Sequence, residues 1–432
     1  MRIEGYCFYN KTKLFFLFTF LLSLICMWIV VPFFRGVLPS IVNMAAFTIL
    51  SFALFLVSFL IKPNWLSVAK LRICFGFMIY LVVSLFCMLI GRGERNINPL
   101  INFLFVPFFV LISLFVRENV PKKYVYSILF ITFIFLSFTL VTTCNVLIKD
   151  GYASRYLTSS SVDESTRRYY ESKNVASFDL IYGSIILIPF TPLLNNRFKS
   201  GVQKFIVGLF SLFVLILIVI SVLLSHFLTA YFACSIALVL FFFNYRRFKS
   251  FVFLFLIVFV FVLLTSSNIL LDFLSFLSRL SGNHLIYMKT SSLEDAIKGN
   301  IGFFESSDRF ELFKLSLNSF LDNPIFGHGA YYTVSNGIVG CHSSLVDDLA
   351  RFGVIVGLLV FVSYFRFYKV FYVKTKIKYE VFCAAVLYLF FLVTNPVYNY
   401  GTMLSFFLII PLFSYCNDSR KVLSINENFV LA

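Results

Sequence analysis

The sequence FIVGLFSLFVLILIVISVLL occupies residues 205–224 and contains no charged side chain. An α-helix rises about 1.5 Å per residue, so a run of this length extends about 30 Å. That distance matches the hydrocarbon core of a lipid bilayer. Because a segment in lipid must satisfy its own backbone hydrogen bonds, this run is predicted to be a transmembrane helix.

Apolar runs of similar length recur along the whole chain. The 432 residues are 60% hydrophobic, whereas soluble domains contain about 45–50% apolar residues, so a soluble globular protein is excluded. The other predicted spans are residues 14–34, 41–61, 73–90, 99–116, 125–148, 179–194, 228–243, 251–270, 352–372, 381–396 and 402–415. We therefore predict an all-α membrane protein of about twelve transmembrane helices, organised as one polytopic domain over residues 1–432.

The basic residues indicate how the helices are oriented. The formal charge is +16, but most Lys and Arg flank predicted spans, where membrane topology explains them better than nucleic-acid binding. If the N-terminus lies inside, the short inner segments carry most of these cations. The short outer loops then carry only Arg35, Arg92 and Arg95. The positive-inside rule thus predicts that both termini are cytoplasmic.

Two predicted outer loops, residues 149–178 and 271–351, are much longer than the others. Long loops of this kind usually carry function. In the larger loop, residues 308–321 have the spacing of an amphipathic helix. Its apolar face is expected to comprise Phe310, Phe313, Leu317, Phe320 and Leu321. A second helix is predicted from about His342 and leads directly into the tenth span.

Two adjacent carboxylates, Asp347 and Asp348, do not predict a metal site. Neighbouring residues on a helix point about 100° apart, and Asp347 is expected to pair with Arg351 four residues later. The same helical spacing places no carboxylate beside His342, so the group that orients this histidine would come from elsewhere. The nine Cys also lack metal-ligand spacing, and neither a metal nor another cofactor is predicted.

The strongest local pattern combines an arginine, a glycine-rich turn and a histidine. Its members are, in chain order, Arg309, Pro324, Gly327, Gly329, His342 and Gly353. Arg309 stands fifteen residues before Pro324, and His342 stands eleven residues before Gly353. All of them belong to the larger outer loop or to the start of the span that follows it.

This pattern resembles the O-antigen polymerase and O-antigen ligase superfamily of bacterial envelope enzymes. Its members carry an Arg about fifteen residues before a Pro-x-x-Gly-x-Gly turn, then a His-Asn or His-Ser that leads into a span with Gly-x-x-Gly. Two features depart from the pattern. The second glycine of the span is Gly357, one residue late, and Ser225-His226 stands where the superfamily commonly has Ser-Arg.

The resemblance implies glycosyl transfer from a polyprenyl diphosphate sugar on the outer face of the bacterial inner membrane, without metal or nucleotide. A departing diphosphate accumulates negative charge, which arginine can bind in bidentate fashion. An attacking sugar hydroxyl needs a base, and a neutral histidine can serve. The catalytic candidates are His342 and Arg309, and the diphosphate-binding candidates are Arg155, Arg167, Arg168, Arg279 and His226. For each of these residues the structural alternative is a solvated surface group or a local ion pair.

Three functions remain open at this point: a polymerase of undecaprenyl-diphosphate-linked repeat units, a ligase that moves glycan to lipid A–core, and a flippase. Coupled transporters bury charges at mid-membrane, and the predicted spans contain essentially none, which disfavours the flippase. Residues 149–178 supply a second Arg-bearing outer loop, which favours the polymerase. The expected partners are undecaprenyl-diphosphate-linked oligosaccharides and membrane lipids, with a chain-length regulator and a flippase as partner proteins.

Overall fold

The computed structural model describes residues 2–90, 98–157, 162–197, 201–225, 227–243, 308–329 and 339–418. Within these ranges the ordered elements are helices, and no strand is present. A single isolated bridge pairs Thr375 with Asp418. The all-α prediction is therefore confirmed for the described part of the chain.

Sixteen α-helices follow one another in these ranges. They are α1 (Arg2–Val30), α2 (Phe33–Val37), α3 (Ser40–Ile61), α4 (Val68–Leu89), α5 (Asn98–Asn119), α6 (Lys122–Lys149), α7 (Ala153–Tyr156), α8 (Glu164–Ser172), α9 (Phe178–Leu187), α10 (Val202–Ser225), α11 (Leu228–Phe243), α12 (Asp308–Asp322), α13 (Ser344–Tyr372), α14 (Lys378–Thr394), α15 (Tyr400–Leu404) and α16 (Ile410–Cys416). A 3₁₀-helix (Ile188–Arg197) continues α9, and a π-helix (Ser405–Ile409) joins α15 to α16.

Six helical segments in the described ranges are long and apolar enough to cross a membrane. Three further apolar helices, Ala45–Ile61, Thr229–Phe242 and Tyr400–Cys416, are shorter. Each predicted span overlaps a helix except residues 251–270, which lie outside the described residues. The protein is thus a multi-pass membrane protein, and the figure of about twelve spans stays a prediction. The helix that contains the first predicted span, residues 14–34, ends earlier than predicted, at Val30, because Pro32 has no N–H to continue the ladder of α1.

The bundle is apolar on its outside as well as in its core, as expected of a protein dissolved in lipid. Large apolar side chains such as Phe52, Phe75 and Leu89 are exposed on its outer faces, where lipid tails replace water as solvent. Small residues allow close helix packing inside. On α4, Gly76 donates its N–H to Ser363 Oγ on α13 at 2.8 Å. A Cβ at Gly76 would lie only 1.9 Å from the Leu359 carbonyl oxygen, so these two backbones touch directly.

The connecting segments gather at two ends of the bundle. One end, called here the loop end, is formed by residues 31–39, 162–177, 323–329, 339–343 and 395–399. Backbone and side-chain hydrogen bonds join these segments: Phe33 N–H donates to Asn174 Oδ1 (3.4 Å), and Ser344 N–H donates to the Asn395 carbonyl (3.3 Å). The loop end therefore assembles segments that the sequence assigned to outer loops.

The opposite end carries its own polar contacts. Lys70 pairs with Glu118 at 2.6 Å, and Lys122 Nζ donates to the Asp418 carbonyl oxygen at 3.1 Å. Lys376 N–H donates to the Asn417 carbonyl at 3.1 Å. These residues belong to segments predicted to be cytoplasmic. The predicted outer loops and the predicted cytoplasmic segments therefore lie at opposite ends of the bundle.

Candidate active site

The glycine-rich turn at Pro324–Gly329 is built into a break in helix α13. Gly353 has φ 67° and ψ −172°, which interrupts the helix. The carbonyls of Ala350 and Arg351, freed by this break, accept from His328 N–H (3.0 Å) and Gly329 N–H (2.9 Å). In return, Val354 N–H donates to the Pro324 carbonyl at 2.8 Å. The turn thus replaces the missing helical hydrogen bonds and fixes the end of α12 to the start of the tenth predicted span.

The crossing of these two backbones requires glycine on both sides. Gly327 has φ 63° and Gly353 has φ 67°, and both lie in the left-handed region that favours glycine. A Cβ at Gly353 would lie 2.2 Å from the Ile325 carbonyl oxygen, and one at Gly327 would lie 2.5 Å from the Gly353 nitrogen. Packing therefore explains the two glycines of the motif at this crossing, Gly327 and Gly353.

Gly353→Ala is expected to destabilise the protein strongly. Its backbone conformation is nearly restricted to glycine and costs about 1–3 kcal/mol for other residues, and the clash with Ile325 adds to this cost. Gly201→Ala is the matched control, because Gly201 also has positive φ (87°) but no atom within 4 Å of its Cβ position. Thermal unfolding in detergent should show a larger drop in midpoint for Gly353→Ala. Equal midpoints for the two variants would contradict this role of the crossing.

The segment that carries His342 is fixed by hydrogen bonds from two helices. Ser343 caps α13, and its Oγ accepts from Val346 N–H at 3.3 Å. Asp347 Oδ2 accepts from Ser343 N–H at 3.1 Å, and its Oδ1 accepts from Ser316 Oγ at 2.6 Å. Ser316 also accepts from Gly340 N–H at 2.8 Å. The buried Ser316 of α12 therefore holds the chain before His342, at Gly340, and the buried Asp347 of α13 holds it after His342, at Ser343.

The charge of His342 acts on Asp347. Burial raises the pKa of Asp347, and the charges of Arg351 and His342 with the hydrogen bond from Ser316 oppose that rise. Helical spacing predicted no carboxylate beside His342, and this stays a prediction. His342 lies one residue before the cap Ser343, so the chain is not helical there and the spacing rule does not apply.

The charge of Arg351 acts on the predicted partner Asp347 and also on Asp348. Arg351 Nη1 contacts Asp348 Oδ1 at 3.4 Å, whereas Asp347 is engaged with Ser316 and Ser343. Asp348 further accepts from Tyr80 OH (2.8 Å) and Tyr398 OH (2.5 Å). Burial raises the pKa of Asp348 to about 6, against the lowering effects of Arg351 and the two tyrosines. This network ties α13 to α4 and to the segment before α15.

The buried face of α12 is polar rather than apolar. Ser316 and Ser319 are buried, whereas Leu317 and Leu321 are 37% and 62% exposed. The predicted apolar face therefore coincides only in part with the packed side of the helix, because Phe313 and Phe320 are half-buried whereas the two leucines are exposed. The reason is the hydrogen bonding of Ser316 to Asp347 and Gly340, which helical spacing of apolar residues does not reveal.

A cavity of about 420 Å³ opens at the loop end between α1, α2, α3, α5 and α8. Its charged lining residues are Arg35, Glu164, Arg167, Arg168 and Glu171. Its aromatic and amide lining residues are Trp28, Asn43, Phe47, Asn102, Phe105 and Tyr400. We call this space the arginine cavity. It brings the predicted diphosphate-binding pair Arg167 and Arg168 on α8 together with Arg35 on α2.

Helix α8 presents its two arginines because its start is well capped. Asp163 accepts from Thr166 N–H at 3.1 Å, and hydrogen bonds from Ser165 and Thr166 lower the pKa of Asp163 to about 2. Arg168 pairs with Glu164 one turn earlier. Burial raises the pKa of Glu171, and the charges of Arg35 and Arg167 oppose this. The charge of Arg168 acts on Glu171 in the same direction, and both arginines of the pair line the cavity.

Helix α2 delivers Arg35 to the same cavity. It packs so closely on α8 that a Cβ at Gly36 would lie 2.4 Å from the Ser172 nitrogen. The cavity is also close to the Asp348 network in the chain, because Tyr400 lines the cavity and Tyr398 binds Asp348. Since consecutive Cα atoms are about 3.8 Å apart, these two tyrosines have Cα atoms within about 8 Å of each other.

Arg155 occupies a different position at the loop end. Its guanidinium lies 5.2 Å from the ring centroid of Phe227. Phe227 packs near Tyr182 (6.4 Å between ring centroids), and Tyr182 OH donates to Asn395 Oδ1 at 3.4 Å. Because the Asn395 carbonyl accepts from Ser344 N–H, a series of contacts connects Arg155 to the start of α13.

Three other candidates can be placed only in part. Arg279 and His226 lie outside the described residues. Arg309 belongs to the first turn of α12, but its side chain is outside the described part of the structure. Among the described residues, no three His, Cys, Asp or Glu side chains come together to hold a metal ion. Metal independence stays a prediction.

The structure also adds functional candidates that the sequence did not single out. Arg35 was counted only as an outer-loop cation, and Asn43 was read as part of a span. Neither residue belongs to a motif. Only the fold shows that both line the same cavity as the arginines of α8. The small residue Gly36 beside Arg35 is the one local signal of close packing there.

Comparison with known families adds independent information on this region. Residues 212–362 match the family model described as O-antigen ligase. The match includes α12, the glycine-rich turn, His342 and the kink at Gly353, and it covers about a third of the chain. No match was found among curated proteins or among solved structures. The chain therefore carries an O-antigen ligase family region at residues 212–362, which confirms its resemblance to the O-antigen polymerase and ligase superfamily.

Proposed function

We propose that this protein is a polymerase that joins undecaprenyl-diphosphate-linked oligosaccharide repeat units on the outer face of a bacterial inner membrane. The family region supports an enzyme of the polymerase and ligase type. The observation that favours a polymerase is the arginine cavity. Its lining residues all lie outside the matched residues 212–362. A polymerase must hold two lipid diphosphates at once, and this cavity supplies a second cationic site beside the α12–α13 unit.

The proposed reaction uses one base and one anion-binding group. The acceptor hydroxyl attacks the anomeric carbon of the donor sugar, the bond from that carbon to the diphosphate oxygen breaks, and His342 receives the hydroxyl proton. The diphosphate leaves with the bonding electron pair, and Arg309 stabilises the added negative charge. Arg309 precedes Ser316 by seven residues, or about 10 Å along α12. Because Ser316 holds the segment before His342, both groups belong to one rigid unit.

A ligase is the second candidate, because the matching family model is described as O-antigen ligase. In that case the acceptor would be lipid A–core rather than a second lipid diphosphate. Deletion of the gene followed by gel analysis of the cell's glycolipids separates the two. A polymerase predicts core capped with a single repeat unit, whereas a ligase predicts uncapped core with accumulated polymer.

Activity of the purified protein is expected to survive EDTA. The residues proposed to act on the diphosphate are arginines, which neutralise phosphate charge without a metal ion. The measurement is polymer formation from lipid-linked repeat units before and after chelation. Loss of activity with recovery on adding Mg²⁺ or Mn²⁺ would refute this prediction.

The predicted orientation can be tested with single-Cys variants in intact cells. A Cys at Ser161, in the first long loop, should react with a membrane-impermeant reagent added from outside. A Cys at Lys376, between α13 and α14, should not react, because positively charged segments remain in the cytoplasm. Labelling at Lys376 without cell lysis would contradict the topology.

A further inference from the structure

Cys341, the residue directly before His342, has a backbone conformation that is unusual for its type. Its φ is 56°, which lies in the left-handed region that residues with a Cβ rarely adopt. Such a conformation is costly and persists only where the surrounding structure imposes it. Because His342 follows Cys341 in the chain, a change in the Cys341 backbone moves the imidazole. The contacts that hold Cys341 therefore also decide where His342 lies.

Arg351 contacts the side chain of Cys341. Its Nη2 donates to Cys341 Sγ at 3.4 Å, and the arginine itself is only 5% exposed. The hydrogen bonds described above hold the backbone at Gly340 and at Ser343. Arg351 thus adds a third contact to this segment, at its left-handed residue.

The guanidinium of Arg351 is oriented by a buried network that belongs to other helices. Its Nη1 contacts Asp348 Oδ1 at 3.4 Å, and Asp348 accepts from Tyr80 of α4 and from Tyr398. The Tyr80 ring in turn stacks on Phe103 of α5, with 4.0 Å between the ring centroids. Because a guanidinium is planar and rigid, a contact that orients Nη1 also orients Nη2. The position of α4 and α5 is thereby transmitted to Cys341.

The main chain of Arg351 belongs to the break in α13. Its carbonyl accepts from Gly329 N–H at 2.9 Å, two residues before the kink at Gly353. The same residue therefore binds the glycine-rich turn through its backbone and the segment of His342 through its side chain. It links the two parts of the motif that are separated by twelve residues between Gly329 and His342.

We propose that Arg351 is a positioning residue for His342. Its guanidinium, oriented by Asp348, holds the Cys341 side chain and with it the left-handed turn from which His342 projects. Neither the motif spacing nor the family match assigns a role to this arginine. The inference rests on the proposed role of His342 as the base, and it concerns the position of the imidazole rather than the binding of a substrate.

The first test compares two substitutions of Cys341. Cys341→Ala removes the sulfur but leaves the Arg351–Asp348 pair in place, and Cys341→Ser supplies an oxygen that accepts from Arg351. We expect the kcat of polymerisation to fall about tenfold to a hundredfold for Cys341→Ala, as for a misplaced catalytic group. The KM should stay within about twofold of the parent. Cys341→Ser should restore kcat to within about threefold of the parent, because a hydroxyl is a good acceptor.

Two arginine variants complete the comparison. Arg351→Gln is too short to reach both partners and should lower kcat about as much as Cys341→Ala. The double variant should be no worse than either single one, since both remove the same contact. Arg366→Gln is the matched control, because Arg366 lies on the same helix, is exposed and donates to the Arg72 carbonyl at 3.1 Å. It should leave kcat unchanged.

The second test reports the position of the imidazole without an activity assay. The chain contains four His residues, so NMR of the full-length protein with ¹³C-labelled histidine gives few ring signals, and His342→Ala identifies the one that belongs to His342. Cys341→Ala should move or split this signal. Cys341→Ser and Arg366→Gln should leave it at the position seen in the parent protein.

The two tests together decide the inference. It is wrong if Cys341→Ala leaves the His342 signal unchanged, or if the signal changes while kcat of an active parent does not. A loss of activity that matches a loss of folded protein, measured by size-exclusion chromatography, would assign Arg351 a structural role and also overturn it. Failure of the proposed function is recognised separately, since the parent protein would then form no polymer while the NMR comparison still reports on Arg351.

Discussion

His342→Ala is expected to lower the rate of polymerisation by roughly 10²- to 10⁴-fold, the usual contribution of a positioned general base. A sugar hydroxyl is too weak an acid to ionise at neutral pH, so the proton must be received as the new bond forms. Binding of the glycolipid should change little, because this proton transfer occurs only in the transition state. The effect should therefore appear in kcat rather than in KM.

The surroundings of His342 explain why no neighbour replaces it. Asp347 is the nearby carboxylate, but its two oxygens are occupied by Ser343 N–H and Ser316 Oγ. Asp348 is buried and bound by Tyr80, Tyr398 and Arg351. Neither carboxylate is available as a base without breaking contacts that fold the site.

His328→Ala is the matched control, since it removes an imidazole from the same loop. The His328 ring contacts the Ser319 carbonyl at 3.1 Å, and we assign it no role in the reaction. The assay is reconstituted polymerisation with both variants at equal protein level. If the folded His342→Ala protein works at more than about a tenth of the parent rate, well outside the expected loss, His342 is structural.

Arg167→Lys is expected to weaken binding of the second lipid diphosphate and to lower polymerisation at limiting substrate about a hundredfold, comparable with loss of a hydrogen bond to a charged group, which contributes up to about 3 kcal/mol. Lysine keeps the charge but loses the planar pair of donors that matches a phosphate. The same result is expected for Arg309→Lys. In both cases Lys should be nearly as damaging as Ala, while the protein level in the membrane stays normal.

The position of Arg167 supports a role beyond surface charge. Arg167 lines the arginine cavity, and its charge acts on the half-buried Glu171 together with that of Arg35. Lys173→Ala on the neighbouring turn is the control, because Lys173 is exposed and contacts the Tyr169 ring. Full activity of both Lys variants would show that charge alone is sufficient and that no bidentate contact is made.

Sequence reasoning worked best where one local rule determined the result. The apolar runs predicted helices, and α12 ends at Asp322, immediately before Asn323-Pro324, as the conformational restriction before proline requires. It failed where contacts between distant segments decided the outcome. The buried face of α12 follows from Ser316 binding Asp347 and Gly340, and no periodicity in residues 308–321 reveals that.

In the candidate site, too, local spacing predicted some features, whereas others depend on contacts between distant segments. The arginine, glycine-rich turn and histidine were found from spacing, but the reason for the glycines is the exchange of hydrogen bonds between the turn and the break at Gly353. Arg35 lies 132 residues before Arg167 in the chain, and only the packing of α2 on α8 places them in one cavity. Long-range placement of this kind depends on the whole bundle and has no local sequence signal.

The central claim is that this chain alone elongates a lipid-linked glycan. The direct measurement is incubation of the purified protein in lipid vesicles with the repeat-unit lipid as the sole substrate, followed by separation of the products by length. We expect products of two or more repeat units that remain attached to the lipid diphosphate. If no elongation occurs, and transfer appears only when lipid A–core is added, the protein is a ligase and the proposed function is wrong.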